Sequence, residues 1–234
     1  MHDRVRVPEL MDDPALDAAA HDRALAGLMR LNAWSRSHRL LWRGVAAHAR
    51  DVNAAGRALR VVDVATGAGD APIAMAAWAR REGLRIEWVL CDRSAHALGI
   101  AAAAARAAGV AATTVEADAV AAPLPCEGDV VTCSLFLHHC DPADAARVLA
   151  HMAGAATRGV GVTDLDRTRG GLALAWLGSR VLSRSRIVHH DASASVRAAF
   201  TREEIAAIAR DAGLPDAEVR AAWPARWTLW WRRA

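Results

Sequence analysis

From Arg60 onward the chain repeats one arrangement: a short apolar run, a stretch of helical length, then another apolar run. The runs RVVDVA, RIEWVL, TTVEA, DVVTCSLF and GVGVTDL each have the length of a buried strand. Strands buried on both faces read as continuous apolar runs, because helices cover both sides of a parallel sheet. The rhythm therefore predicts five parallel strands between two helical layers. It breaks at the end of the chain, where DAEVRAAW and RWTLWWRR are separated only by Pro224 and Ala225. So short a link excludes a crossover and predicts an antiparallel hairpin, the seventh strand being inserted against the rest.

The flanks are less regular. Residues 17–54 read as one or two amphipathic helices, with Leu25, Leu28, Leu31, Leu40 and Leu41 at helical spacing and Asp12, Asp13 and Asp17 as caps. Asp164 to Phe200, dense in Arg, Ser and His, reads as an irregular segment. The helix after it is well marked, with Thr201 and Glu204 as a capping box and Gly213 at its close. Residues 1–55 are thus expected to form an N-terminal helical cap, and 56–234 a single sheet domain in which 165–200 is a substrate-side insertion. A chain of 234 residues suits one such domain.

Composition excludes several classes. With 53% hydrophobic and 24% charged residues the chain is globular. A net charge of +3 from scattered Arg residues forms no basic stripe, which argues against a nucleic-acid partner. Cys91, Cys126, Cys133 and Cys140 lack CxxC spacing and fit a reducing compartment. MHDRVRVPELMDD has no apolar core of an export signal, ALGIAAAAARAAGVAA is interrupted by Arg106, and GGLALAWLGSRVL is too short to span a bilayer. The expectation is a cytoplasmic protein without stable membrane insertion.

The first apolar run leads into VVDVATGAGDAPIAMAAWARR. Gly67 and Gly69 around Ala68 permit positive φ and close approach of backbone to a ligand, and the helix from Asp70 points free N–H groups at an anion. The alternative is a tight turn capped by Asp70. Asp92, 22 residues past Asp70, ends the second run and can accept from both hydroxyls of a ribose. It can also be read as the cap of the helix beginning at Ser94. A ribose is common to NAD and to S-adenosylmethionine, so these residues alone leave both open.

At the end of the third run stands EADA, where Asp118 and Ala119 can meet an adenine amino group and ring. Here the chain resembles the class I S-adenosylmethionine-dependent methyltransferases, particularly the ubiquinone and menaquinone biosynthesis branch. The resemblance implies a Rossmann-like α/β fold with sheet order 3-2-1-4-5-7-6 and strand 7 antiparallel. It implies that Ala65, Thr66, Gly67, Ala68, Gly69 and Asp70 hold the methionine and ribose portion of the cofactor, with Asp92 and Arg93 at the ribose. Asp118 and Ala119 would then take the adenine, with Ser134 and Leu135 beside the methionine moiety. Leu135 and Phe136 depart from a stretch that is commonly small or polar. A dinucleotide fingerprint would need a third glycine where this chain has Pro72, which disfavours an NAD(P)-dependent oxidoreductase.

His138 and His139 follow the fourth strand at the edge where the methyl group would lie. Adjacent side chains diverge, so one of the two is expected to face the acceptor, and His139 is the choice as general base. Both can instead cap the next helix. The cluster HHCD lacks a spaced second ligand pair, so no metal is expected. RSRIVHHDASASVRAAF contributes His190 and Arg197 as further catalytic candidates, and Asp164 faces the pocket by topology. This segment, with PELMDDP, resembles bacterial methyltransferases of aromatic polyketide secondary metabolism. That implies O-methylation of a phenolic or quinone-like small molecule, which apolar helices carrying Trp34 and Trp42 would suit. C-methylation of a quinone-type acceptor and S-adenosylmethionine binding without methyl transfer remain open, as does a homodimer. SLFLHH is not the NPPY-like sequence of an exocyclic-amine methyltransferase.

Overall fold

A computed structural model describes residues 3–12, 16–17, 23–24, 27, 30–31 and 37–233. Leu25, Leu28, Trp34 and Asp13 lie outside them. Strands β1 (Leu59–Val64), β2 (Ile86–Asp92), β3 (Ala112–Glu116), β4 (Gly128–Ser134), β5 (Ala156–Leu165), β6 (Glu218–Ala222) and β7 (Arg226–Arg232) form one sheet. Its order is β3-β2-β1-β4-β5-β7-β6, the order that the family resemblance implies. β1 to β5 pair in parallel, and β7 runs antiparallel to both β5 and β6. The carboxyl ends of β1 to β5 share one edge, the edge where open α/β sheets bind ligands.

Alternate side chains of each strand feed two cores. Val62, Val64, Val131, Val160 and Trp227 pack under α4 (Pro142–Ala155) and α7 (Arg202–Asp211). Leu59, Val61, Trp88 and Val130 pack under α1 (Ser37–Ala54), α2 (Asp70–Arg81) and α3 (Ala95–Ala107). Leu41, Val45, Ala49 and Val52 place α1 inside this second core, so the helix is a fixed wall of the sheet. Trp42 belongs to the same core and donates to Glu82 at 3.0 Å, a packing role and not an acceptor contact. The Trp230 ring fits between α1 and β5 only because of two glycines. A Cβ on Gly44 would come within 2.2 Å of the ring, and one on Gly161 within 2.4 Å.

The segment from Asp164 to Phe200 is not irregular. It forms α5 (Arg169–Leu182) and α6 (Arg186–Ala198), the first capped by Thr168, whose hydroxyl accepts from Gly171 N–H. Val188, Ala192 and Val196 recur at intervals of four along α6 and are buried. That is a helical stripe which the intervening His, Ser and Arg residues conceal. Thr201 and Glu204 form the expected capping box.

Residues 3–12 cross the carboxyl edge of the sheet as a strap. Arg4 donates to the carbonyls of His138, Cys140 and Ala198, and Arg6 to that of His139. The buried carboxylate of Asp191 on α6 accepts the N–H groups of Leu10 and Met11 at 2.8 and 3.1 Å.

Candidate active site

After Val64 the backbone leaves the sheet with Ala65 at φ 53°, Gly67 at 55° and Gly69 at 81°, and α2 starts at Asp70. Gly69 is the N-cap in left-handed conformation, so Asp70 is the first helical residue and not the cap. A Cβ on Gly67 would meet nothing within 4 Å, so this turn opens onto space that a ligand can fill. The buried Asp63 fixes the loop from below. Its two oxygens accept from Thr66 and Thr132 hydroxyls, each at 2.8 Å, tying the loop to β1 and β4. Burial outweighs both hydrogen bonds and pushes the Asp63 carboxyl up to about 6.

Asp92 at the end of β2 accepts from Gly67 N–H at 2.9 Å and from Ser94 N–H at 3.0 Å. Ser94, not Asp92, caps α3, through its hydroxyl to Ala97 N–H. Asp92 is therefore turned toward the glycine loop, where a ribose would lie. Asp118 is exposed after β3, with Oδ1 accepting from Val120 and Ala121 N–H. Ala119 beside it is buried, its carbonyl accepting from His151 Nδ1. Ser134 ends β4, and Leu135 follows at φ 54° with its N–H bonded to Thr163 O. A leucine held at positive φ is strained and is typical of functional edges. Because β3, β2, β1 and β4 are neighbours in that order, the strand ends that carry these residues lie side by side along one edge of the sheet. A cleft of about 740 Å³ at this edge is lined by Arg93, Asp118, Phe136, His138 and His139 together with strap residues Arg6 to Glu9.

A second cavity of about 170 Å³ lies on the far side of the two histidines. Its walls include Leu31, Leu135, Leu165, Leu174 and Val196, and its polar groups are Glu9, His138, His139, Ser195 and Arg226. Leu135 thus lines this cavity just beyond the carboxyl end of β4. His138, His139 and Glu9 line both spaces, so the expectation that only one histidine faces the site is corrected. The 3-10 turn Leu137–His139 and the strap hold the two rings 4.2 Å apart.

The two histidines differ chemically. His138 is buried, with Nδ1 2.7 Å from Asp164 Oδ1 and its own N–H on Asp164 Oδ2. Burial lowers its basicity, but the charge and hydrogen bond of Asp164, aided by Glu9, outweigh it and leave the imidazole above its ordinary 6.5. Asp164 is held below the usual carboxylate range. Burial opposes its ionisation, but His138 and the N–H groups of Leu165 and His138 overcome that penalty. His139 opens to the cavity at its rim yet is packed between Phe136 and His138; burial first, then the charge of His138, pushes it down to about 3. His138 Nε2 points toward Glu9, 4.0 Å from its carboxylate, which in turn bonds Ser195.

His190 and Arg197 are not in this site. Both are exposed on α6, on the side opposite Ala192, Ser195 and Val196, which line the cavity. The helical turn of 100° per residue carries them outward; His190 pairs with Asp191, and the carbonyl of Arg197 receives Val5 N–H. Conversely, Glu9 and Arg226 enter the site unannounced. Burial lowers the Arg226 guanidinium to about 10, opposed by Asp164, so it keeps its charge at neutral pH.

Residues 61–159 match the family model of a methyltransferase domain. The chain carries an S-adenosylmethionine-dependent methyltransferase domain. No curated protein sequence matches the methyltransferase. Among solved structures, magnesium protoporphyrin IX methyltransferase (ChlM) from Synechocystis PCC 6803 with bound SAH is similar at 18% identity, covering 95% of this chain and 90% of that one, TM-score 0.55. The S-adenosylmethionine-dependent methyltransferase SibL in its apo form is 21% identical over 86% of this chain and 56% of its own, TM-score 0.61. The pyocyanin biosynthetic protein PhzM is 22% identical over 76% and 51%, TM-score 0.56. At these identities the likenesses establish the fold. Among the described residues, no helix of the methyltransferase is long and apolar enough to cross a membrane.

Proposed function

We propose that the methyltransferase O-methylates a small phenolic or quinone-like acceptor, with His138 as the general base and Asp164 positioning it. The observation that carries this reading is the buried His138–Asp164 pair, placed where an apolar cavity meets the cofactor cleft. When bound, S-adenosylmethionine supplies a methyl carbon activated by its sulfonium, transferred to the acceptor oxygen with release of S-adenosylhomocysteine. The glycine loop, Asp92 and Asp118 would hold its nucleoside.

The acceptor hydroxyl gives its proton to His138 Nε2. Asp164 fixes the proton of the neutral imidazole on Nδ1 and stabilises the imidazolium that forms, after which the proton passes to solvent. Arg226, cationic in a largely apolar wall, favours the acceptor's developing negative charge. The walls exclude water and orient a flat, apolar acceptor, and positioning of this kind is worth about 7–11 kcal/mol. The sequence favoured His139, but its imidazole, pushed down to about 3, is the weaker base.

Incubation with methyl-labelled S-adenosylmethionine and a panel of phenols tests this reading. His138→Ala should lose roughly 10²–10⁴ in kcat, the usual share of a general base, while His139→Ala keeps most activity. Full activity of His138→Ala across pH would overturn the assignment.

A further inference from the structure

α5 has two unlike faces. Gly171, Leu174 and Ala175 line the acceptor cavity. On the outer side Trp176, Leu177 and Val181 are 52%, 55% and 72% exposed, a concentration of large apolar side chains on one solvent-facing helix. Arginines surround them. Arg169, Arg180, Arg184 and Arg186 are all exposed, and no Asp or Glu occurs between Asp166 and Asp191. Arg180 stacks on the Trp176 ring at 4.1 Å. Beside Val181 lies a groove of about 580 Å³ lined, among the described residues, by Arg23, Arg30 and Arg184 with Ser183 and Ser185 and by no acidic residue. Arg30 is tied to the end of α5 by a 2.9 Å bond to Leu182 O.

We infer that the outer face of α5 adsorbs to the surface of an anionic lipid bilayer, Trp176, Leu177 and Val181 seating among the acyl chains and the surrounding arginines meeting headgroup phosphates. A Trp with aliphatic side chains on one face, rimmed by cations, is the pattern of an interfacial helix. Anionic headgroups supply the opposite charge. The charge argues against a second copy on this face: a two-fold contact sets the same patch against itself, opposing arginine to arginine. Because the other face of α5 lines the acceptor cavity, adsorption would set the cavity against the phase in which an apolar acceptor dissolves. That last step rests on the acceptor-cavity reading; adsorption itself does not.

Co-sedimentation of the full chain with vesicles tests it. The protein should pellet with vesicles of phosphatidylglycerol and phosphatidylcholine and bind at least tenfold more weakly to phosphatidylcholine alone. Trp176→Ser/Leu177→Ser/Val181→Ser should weaken partitioning tenfold or more, and Arg180→Glu/Arg184→Glu should abolish the preference for the anionic lipid. Calorimetry with S-adenosylhomocysteine should show both variants binding like the parent, which separates loss of the surface from loss of the fold. Absence of binding to phosphatidylglycerol vesicles, or unchanged binding by both variants, overturns the inference. So does a dimer in sedimentation velocity that the apolar triple variant dissolves. If S-adenosylhomocysteine fails to bind but vesicle binding persists, the cofactor assignment fails and this inference stands.

Discussion

Asp164 holds both the backbone N–H and the Nδ1 of His138, so one side chain sets the position of the ring and its basicity together. Its effect has a definite sign in pH. The base works as neutral imidazole, so activity should rise with pH through a value above 6.5. Asp164→Asn removes the charge that sustains that value and leaves burial to lower it. The acid limb of kcat/KM should then move to lower pH while the plateau falls roughly 10²-fold, a pair of changes that general destabilisation would not produce. Asp63 behaves oppositely. Its folded-state value near 6 exceeds the ordinary 3.8, so ionisation costs stability: the penalty is absent below 3.8 and complete above about 6. Comparing urea denaturation of the parent and Asp63→Asn at pH 4 and pH 7, the parent should lose up to about 3 kcal/mol more over that rise. An equal change in both proteins would place the Asp63 carboxyl at its ordinary value. Neither role is written in the residue itself. Asp164 could be placed at the strand end from topology alone, but its bond to His138 depends on the turn after β4, whose geometry no local pattern specifies.

Elements were legible in proportion to how plainly their burial shows in the residues. The five parallel strands carry unbroken apolar runs, and the hairpin follows from a short link, so both could be read directly, while the order of the strands came from the family resemblance. α5 and α6 could not. Ser183 to Arg186 interrupts a single polar-looking stretch, and α6 buries small side chains, Ala192, Ala194 and Ala198 among them, that carry little hydrophobic signal. Taking 164–200 as irregular also misplaced His190 and Arg197, because only a helical period decides which of its residues face inward. Packing between elements was equally hidden: Trp230 needs glycine at both 44 and 161, positions far apart in sequence. Gly161→Ala should destabilise the protein by about 1–3 kcal/mol through forced displacement of that ring, whereas Ala at Gly154, where an added Cβ meets nothing within 4 Å, should not destabilise it. Equal midpoints in denaturant for the two variants would show that the β7 edge yields more readily than this packing implies.

At the scale of the whole molecule, the site is assembled from parts with separate sequence signals. The proposed nucleoside cleft draws on β1 to β4, where strand ends and glycines lie close together in sequence, so the sequence alone could nominate its residues. The acceptor cavity is closed by the strap, by α5 and α6 and by the hairpin turn, and Glu9 reaches Ser195 across 186 residues of sequence. Contacts of that span leave no periodicity to read. The account stands on the cleft, since both the base and the acceptor cavity are placed relative to it. Titration calorimetry with S-adenosylhomocysteine on the parent and on Asp92→Ala tests it most directly. The account predicts one tight site in the parent, weakened by about 1–3 kcal/mol when Asp92 is removed, and no binding of NADH. Unchanged affinity in Asp92→Ala, or binding of NADH in place of S-adenosylhomocysteine, would contradict it.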